Sequence, residues 1–255
     1  MNYLNALRIF GTALALTGSS LCLVSHAFQA PPAPQVQPAP PAAQAPPAAH
    51  GPGSQGEQTP VIEKLANGRY RVGEIMVDKV ERAITFPAQV NMDVGLLEYL
   101  IVHDRGKTHE SLLRTKVEPY NLQIAFLLLG YQGTGQRLAR QGDPAKPGGE
   151  SVSITITAIA GQRPVVIAAE RWLVNKFGAE LKDVTAIDWV FSGSFLDHGR
   201  FLAQETGSIV SIWHDPAAMM DNASPGGESN RIWFVKQGTV PPVGTPVQVS
   251  IRPAQ

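Results

Sequence analysis

From residue 61 onward the chain is a succession of short apolar runs broken by glycine, proline and polar residues. Runs at 70–76 and 83–90 read as two early strands, the second interrupted by Pro87. Runs at 96–103 and 107–116 flank Asp104-Arg105-Gly106. A three-residue loop ending in glycine fits a bulged hairpin, because glycine tolerates φ > 0. At 151–159, Val152, Ile154, Ile156 and Ala158 alternate with serine and threonine, the period-two pattern of a half-exposed strand. The run at 165–174 is expected to be its partner. A further strand at 188–196 places Trp189, Phe191 and Phe195 on one face, and 201–204, 209–214, 232–236 and 247–252 complete the set.

Helical signals are fewer. Glu118-Pro119-Tyr120-Asn121 opens a helix, with Pro119 suited to its first turn. Residues 122–129 are apolar on nearly every side, which predicts a buried helix, and Gly130 is placed to end it. The polar stretch 132–149, rich in glycine and proline, reads as a loop. A short helix is expected at 216–220, with Asp215 as N-cap and Asp221 and Asn222 closing it. The expected fold class is therefore α+β: a mainly antiparallel β sheet with one buried helix and one short helix. It forms a single globular domain over 61–255, after a Pro-rich linker.

That linker is residues 28–60, where proline, alanine, glutamine and glycine leave too little apolar side chain for a core. Polyproline II at about 3.1 Å per residue makes it a spacer. Ahead of it, Arg8, a largely apolar run at 9–24 and Ser25-His26-Ala27 read as an export signal over 1–27, cleaved after Ala27. The exported protein is then periplasmic or extracellular. The alternative is an uncleaved N-terminal anchor, the one route to the membrane. Lys+Arg and Asp+Glu balance at 21 each with no basic run, which argues against a nucleic-acid partner. The single cysteine, Cys22, lies inside the signal. The mature chain then has no thiol for a disulfide, an iron–sulfur cluster or a cysteine nucleophile.

The densest polar cluster is Lys107, Thr108, His109, Glu110 and Ser111, with Glu98 and His103 on the preceding run. Under a hairpin, His103 and His109 share one face as diagonal neighbours, while Glu98 and Glu110 fall on the other. Glu98, Lys107, His109, Glu110 and Ser111 are the candidate ligand-binding residues. His103, His109 and the distant His214 are the candidate ligands of a divalent metal, with the carboxylate supplied from elsewhere. The same residues suit an ordinary solvated hairpin tip. Ser111 and His109 stand about 7 Å apart along a strand, too far for a nucleophile and its base. Ser192-Gly193-Ser194 reads as a strand with a close-packed glycine. The glycines at 130–135 follow a helix rather than a strand, unlike a dinucleotide fingerprint.

Three blocks carry a family resemblance: GLLEYLIVHDRGKTHESLL at 95–113, WVFSGS at 189–194, and SIVSIWHDPAAMMDNASPGG at 208–227 with VPPVGTPVQVSIRP at 240–253. In this order the chain resembles the YdjY-type domain family of exported bacterial proteins. The resemblance implies an architecture and an exported setting, but neither a reaction nor catalytic residues. Ferredoxin-type labels in that family do not transfer to a domain without thiols.

The expected function is that of an exported, non-enzymatic domain that binds a cell-envelope protein or a small ligand through its hairpin face. No cofactor is expected. The alternative is a metal-binding protein or metal-dependent hydrolase built on the histidine pair of the 96–116 hairpin. A structural role in a surface assembly is a third reading.

Overall fold

The structure, a computed structural model, describes residues 60–160 and 163–254, all within one unit spanning Gly56–Gln255. The export signal and the linker up to residue 59 lie outside the described residues. Eight strands form a barrel: β1 (Ala83–Val90), β2 (Tyr99–His103), β3 (Ser111–Thr115) and β4 (Glu150–Ala160) come first. They are followed by β5 (Trp189–Phe191), β6 (Ser208–Ser211), β7 (Met220–Asn222) and β8 (Pro246–Pro253). Around the ring the order is β1-β8-β4-β5-β7-β6-β2-β3. It shuts where Gln89 and Val90 of β1 pair with Arg114 and Leu113 of β3.

This corrects the expected α+β antiparallel sheet. The domain is mostly β, a closed mixed barrel with added strands and, among the described residues, two helices. Period-two patterning shows that a strand has a buried face. It does not show whether the two ends of the ladder meet.

The expected hairpin does not form either. β2 and β3 run parallel, with Tyr99 opposite Ser111, Ile101 opposite Leu113 and His103 opposite Thr115. Segment 104–110, including a 3₁₀ turn at Thr108–Glu110, returns the chain to the start of the barrel before β3 begins. β6 and β7 repeat the arrangement, also parallel, joined by 212–219. β6 is antiparallel to β2, so the two parallel pairs stand side by side. All of β2 and nearly all of β3 is buried, as expected for parallel strands covered on both faces. Such strands lack the alternation that distinguishes a hairpin arm. A close approach holds the crossover down: Gly207 adopts φ +73°, and a Cβ there would stand 2.8 Å from Gly106 Cα.

β1 pairs with β8 on one side and with two strands on the other. Its first half pairs with the strand Ile75–Asp78, which continues through Arg69–Val72 to Ile62–Lys64, and its last residues close the barrel. Pro87 lies between those two pairings, where a missing N–H is tolerated. The strand Arg163–Ala168 extends the ladder from β4. Small sheets of Leu173–Asn175, Lys182–Asp183 and Trp233–Val235, and of Leu196–Asp197 with Arg200–Phe201, lie outside the barrel.

Helix α1 spans Pro119–Leu128 with Pro119 in its first turn. It buries one face through Leu122, Ala125 and Phe126, while Leu127 stays 58% exposed, so its apolar outer side is not covered as expected. Helix α2 is Leu202–Thr206, where a strand was expected. Segment 216–220 is a turn entering β7 rather than a helix. Asp215 still acts there as a cap-like acceptor, taking the Ala217 N–H at 2.9 Å, but the backbone leaves for the barrel after one turn. Among the described residues, no helix is long and apolar enough to cross a membrane.

Phe126 joins α1 to the core. Its ring centroid lies 4.5 Å from that of Phe191 on β5 and 5.1 Å from that of Tyr131. Arg82 secures the same corner by stacking 4.7 Å over Tyr131, donating to Leu129 O and pairing with Glu150 at 2.9 Å. Phe126→Ala should therefore cost about 3–5 kcal/mol in a denaturant melt, with the slope of the transition unchanged. A loss below about 1 kcal/mol would mean that the ring does not tie α1 to the barrel.

Candidate functional site

The strongest concentration of buried polar groups lies where β2, β6, β7 and the 212–219 crossover meet. Asp215, Asp221, Asn222, His214, Ser208 and Ser211 are all nearly or fully buried there, beside Tyr99. Each buried polar atom in such a place needs a partner, because an unpaired one keeps its full desolvation cost.

Asp215 has its partners. Its Oδ2 accepts from the Tyr99 hydroxyl at 2.7 Å and from Ser208 Oγ at 2.9 Å, and its Oδ1 takes the Ala217 N–H. The Tyr99 oxygen in turn accepts from Lys107 Nζ at 3.1 Å and Gln141 Nε2 at 2.8 Å. Burial and the Asp215 charge raise the Tyr99 phenol far above its ordinary value, so it stays a donor. A chain of hydrogen bonds thus leads from a lysine near the surface to a buried carboxylate.

Asp221 is held differently. Its Oδ1 accepts from Ser211 Oγ and from the Asp215 N–H at 3.0 Å. Ser192 Oγ is within hydrogen-bond reach of the carboxyl as well, and lies 3.2 and 3.1 Å from Ala218 O and Met219 O. The residue borders a narrow cavity of about 40 Å³, lined by Asp221, Ser192, Ser194, Thr134, Arg137 and Phe195 among others. Room for one water takes on the order of 10–15 Å³ on the same measure, so the cavity admits the tip of a small molecule. Burial, then the neighbouring Asp215 charge, push the Asp221 carboxyl up to about 7, against the hydrogen bonds from Ser211, the Asp215 N–H and Ser192.

The cavity walls come from local backbone geometry. Ser194 adopts φ +53°, a strained conformation for a residue with a side chain, and its Oγ bonds Ala217 O at 2.7 Å. The 132–149 loop packs its backbone onto the end of β5. At Gly149, with φ +148°, a Cβ would collide with Phe191 O, so that position requires glycine. His214 anchors the loop from beneath, with Nδ1 2.6 Å from Asp143 O and Nε2 2.9 Å from Asn222 O.

The residues singled out in sequence distribute differently. Glu98, Lys107 and Glu110 do come together: Glu98 is buried, bonded to Asn230 at 3.0 Å, and raised by burial with the Glu110 carboxylate beside it. Lys107 Nζ lies 3.7 Å from Glu110. His109 sits in the 3₁₀ turn with its side chain 79% exposed, next to Glu110. Ser111 is fully buried and donates to Leu113 O, a structural role.

The histidines do not converge, because the parallel crossover replaces the hairpin that paired them. His103 is buried against the Arg105–Glu118 ion pair, accepting the Arg105 N–H at Nδ1. Burial and then Arg105 hold its ring below the usual imidazole value. Among the described residues, no group of three or more His, Cys, Asp or Glu is placed to hold a metal ion.

The sequence reading missed the importance of Asp221 and Arg137. Asp221 was assigned to a helix end. Its burial follows from β7 entering the barrel, which short polar-looking MDN does not announce.

The model of the YdjY domain matches residues 75–252, a span holding all eight barrel strands but the last residue of β8. The chain belongs to the YdjY domain family. No curated protein and no solved structure matches it. The blocks 189–194 and 208–227 of this YdjY domain supply Ser192, Ser194 and Asp221, so they meet at the cavity. Block 95–113 supplies Tyr99 and Lys107 of the adjoining network.

Two outcomes check this account. Folded Asp221 keeps its proton up to about pH 7, whereas the unfolded chain releases it near 3.8. Its stabilising contribution is therefore full below about pH 4 and is lost as pH rises toward 7. Between pH 4.5 and 8, the unfolding free energy of wild type minus that of Asp221→Asn should fall by on the order of 3 kcal/mol. Glu118, held down at about 2 mainly by Arg105, acts in the opposite direction at acid pH and cancels in this difference. A pH-independent difference would contradict the burial argument. His109→Ala should leave stability within about 0.5 kcal/mol, and a larger loss would show a hidden partner.

Proposed function

We propose that this YdjY domain is an exported, non-enzymatic binding module that takes a small polar group of a ligand, free or part of a cell-envelope component, into the cavity over Asp221. The observation that carries this reading is the Asp221 carboxyl. It is 1% exposed, its Oδ1 accepts from Ser211 and the Asp215 N–H, and the residue borders a cavity. A buried acid beside a cavity is where a hydrogen-bond donor from outside gains most.

Binding is favoured over catalysis by the state of the hydroxyls. Ser192 and Ser194 both donate to main-chain carbonyls, and no histidine lines the cavity to activate them. Export is supported by Arg8, the apolar run at 9–24 and Ser25-His26-Ala27, and the balanced charge speaks against nucleic acid as partner.

A nitrogen-15 NMR titration of residues 28–255 with methylammonium, acetamide, acetate and glycine tests the binding site. At least one probe should shift amides at 134–137, 192–195 and 221, and Asp221→Asn should suppress those shifts. Shifts centred on Glu98 and Glu110 instead, or none from any probe, would remove the reading.

A further inference from the structure

Above about pH 7 the cavity carries two charges of opposite sign, and no ion pair joins them. Asp221 closes its buried end. Arg137, on the exposed 132–149 loop, lines the same cavity with its guanidinium 3.4 Å from the ring centroid of Phe195, which also lines it. Flat stacking of this kind fixes the guanidinium plane while leaving its N–H edges open. Among the described residues, no ion pair or side-chain hydrogen bond uses Arg137.

An arginine kept off the nearby acid by stacking is not there to neutralise it. The acceptors at the buried end are the Asp221 carboxylate and the lone pairs of Ser192, whose hydroxyl proton is engaged within the protein. That end suits a group that only donates, with several N–H bonds and a positive charge. The exposed end offers a donor-only fork matched to a carboxylate. A simple cation would gain at Asp221 and lose at Arg137, and a simple anion would do the reverse.

Building on the Asp221 reading, we propose that the ligand group is a small zwitterion of the α-amino-acid type, its ammonium on Asp221 and Ser192 and its carboxylate on Arg137. An α-amino acid carries the two charges across one carbon. A cavity of about 40 Å³ holds the ammonium end and leaves the carboxylate at the mouth. The side chain then projects to solvent, so the site selects the zwitterion rather than one particular amino acid.

The search for this ligand uses glycine, methylammonium and acetate as separate probes, titrated by NMR at pH 8 against wild type, Asp221→Asn and Arg137→Gln. Glycine should bind wild type at least about tenfold more tightly than either single-charge probe, since both ends then contribute. Arg137→Gln, at an exposed position that leaves the fold intact, should bring glycine down to the affinity of methylammonium while sparing methylammonium itself. Asp221→Asn should abolish the response to both amines.

Methylammonium binding as tightly as glycine, or Arg137→Gln leaving their ratio unchanged, would overturn the zwitterion while the Asp221 site stands. If no probe shifts the cavity amides, the site and the zwitterion fall together.

Discussion

The pairing of Gln89 and Val90 with Arg114 and Leu113 turns a long ladder into a ring, and the chemistry of the domain follows from it. A closed barrel leaves its eight strands no open edge and keeps water from the interior. Once closed, it leaves the polar groups inside to find partners from the protein itself, which Trp189 Nε1 on β5 does not do among the described residues. Tyr99, Ser208, Ser211, His214, Asp215 and Asn222 each do so at 2.6–3.2 Å or closer. Asp221 does so at the edge of a cavity.

Two aspartates six positions apart, Asp215 in the crossover and Asp221 on β7, thus meet different fates. Asp215 has three donors and, behind them, the positive end of Lys107 reached through Tyr99. Asp221 has two donors on one oxygen, a neighbouring carboxylate and a cavity. In a medium of low polarity, that difference separates a structural carboxylate from one that holds its proton to about pH 7. Perturbed groups in clefts are enriched at functional sites, and here the cavity geometry gives the perturbation a use.

Much of the strand content was legible. The strand 83–90, the long strand through Val152, Ile154 and Ile156, and the closing strand near 247–252 follow from period-two alternation on a half-buried ladder. α1 was legible from Pro119 and the run after it. What failed had a common cause. The runs around Ile101 and Leu113 are buried on both faces, so their pattern carries no orientation, and a nearby glycine made a hairpin the simplest joining. The short strand at Met220–Asn222 looked like a helix end because Asp and Pro act locally alike at a cap and at a turn. The site was partly legible: Glu98, Lys107 and Glu110 do cluster, but His103 and His109 were paired by a hairpin that does not exist, with His214 as a distant third.

By itself, the sequence determined that the domain is rich in strands, belongs with YdjY-type blocks, has no thiol beyond Cys22 and carries no net charge. Those properties are local or compositional, and hydrophobic period, turn residues and residue counts are enough to establish them. Only the tertiary structure decided that the ladder closes, that β2 and β3 run parallel, and that Asp221 is buried opposite Arg137. Closure and burial are long-range properties. They depend on which distant strands pair, and no spacing along the chain records the desolvation of a carboxyl by segments 30 to 130 residues away.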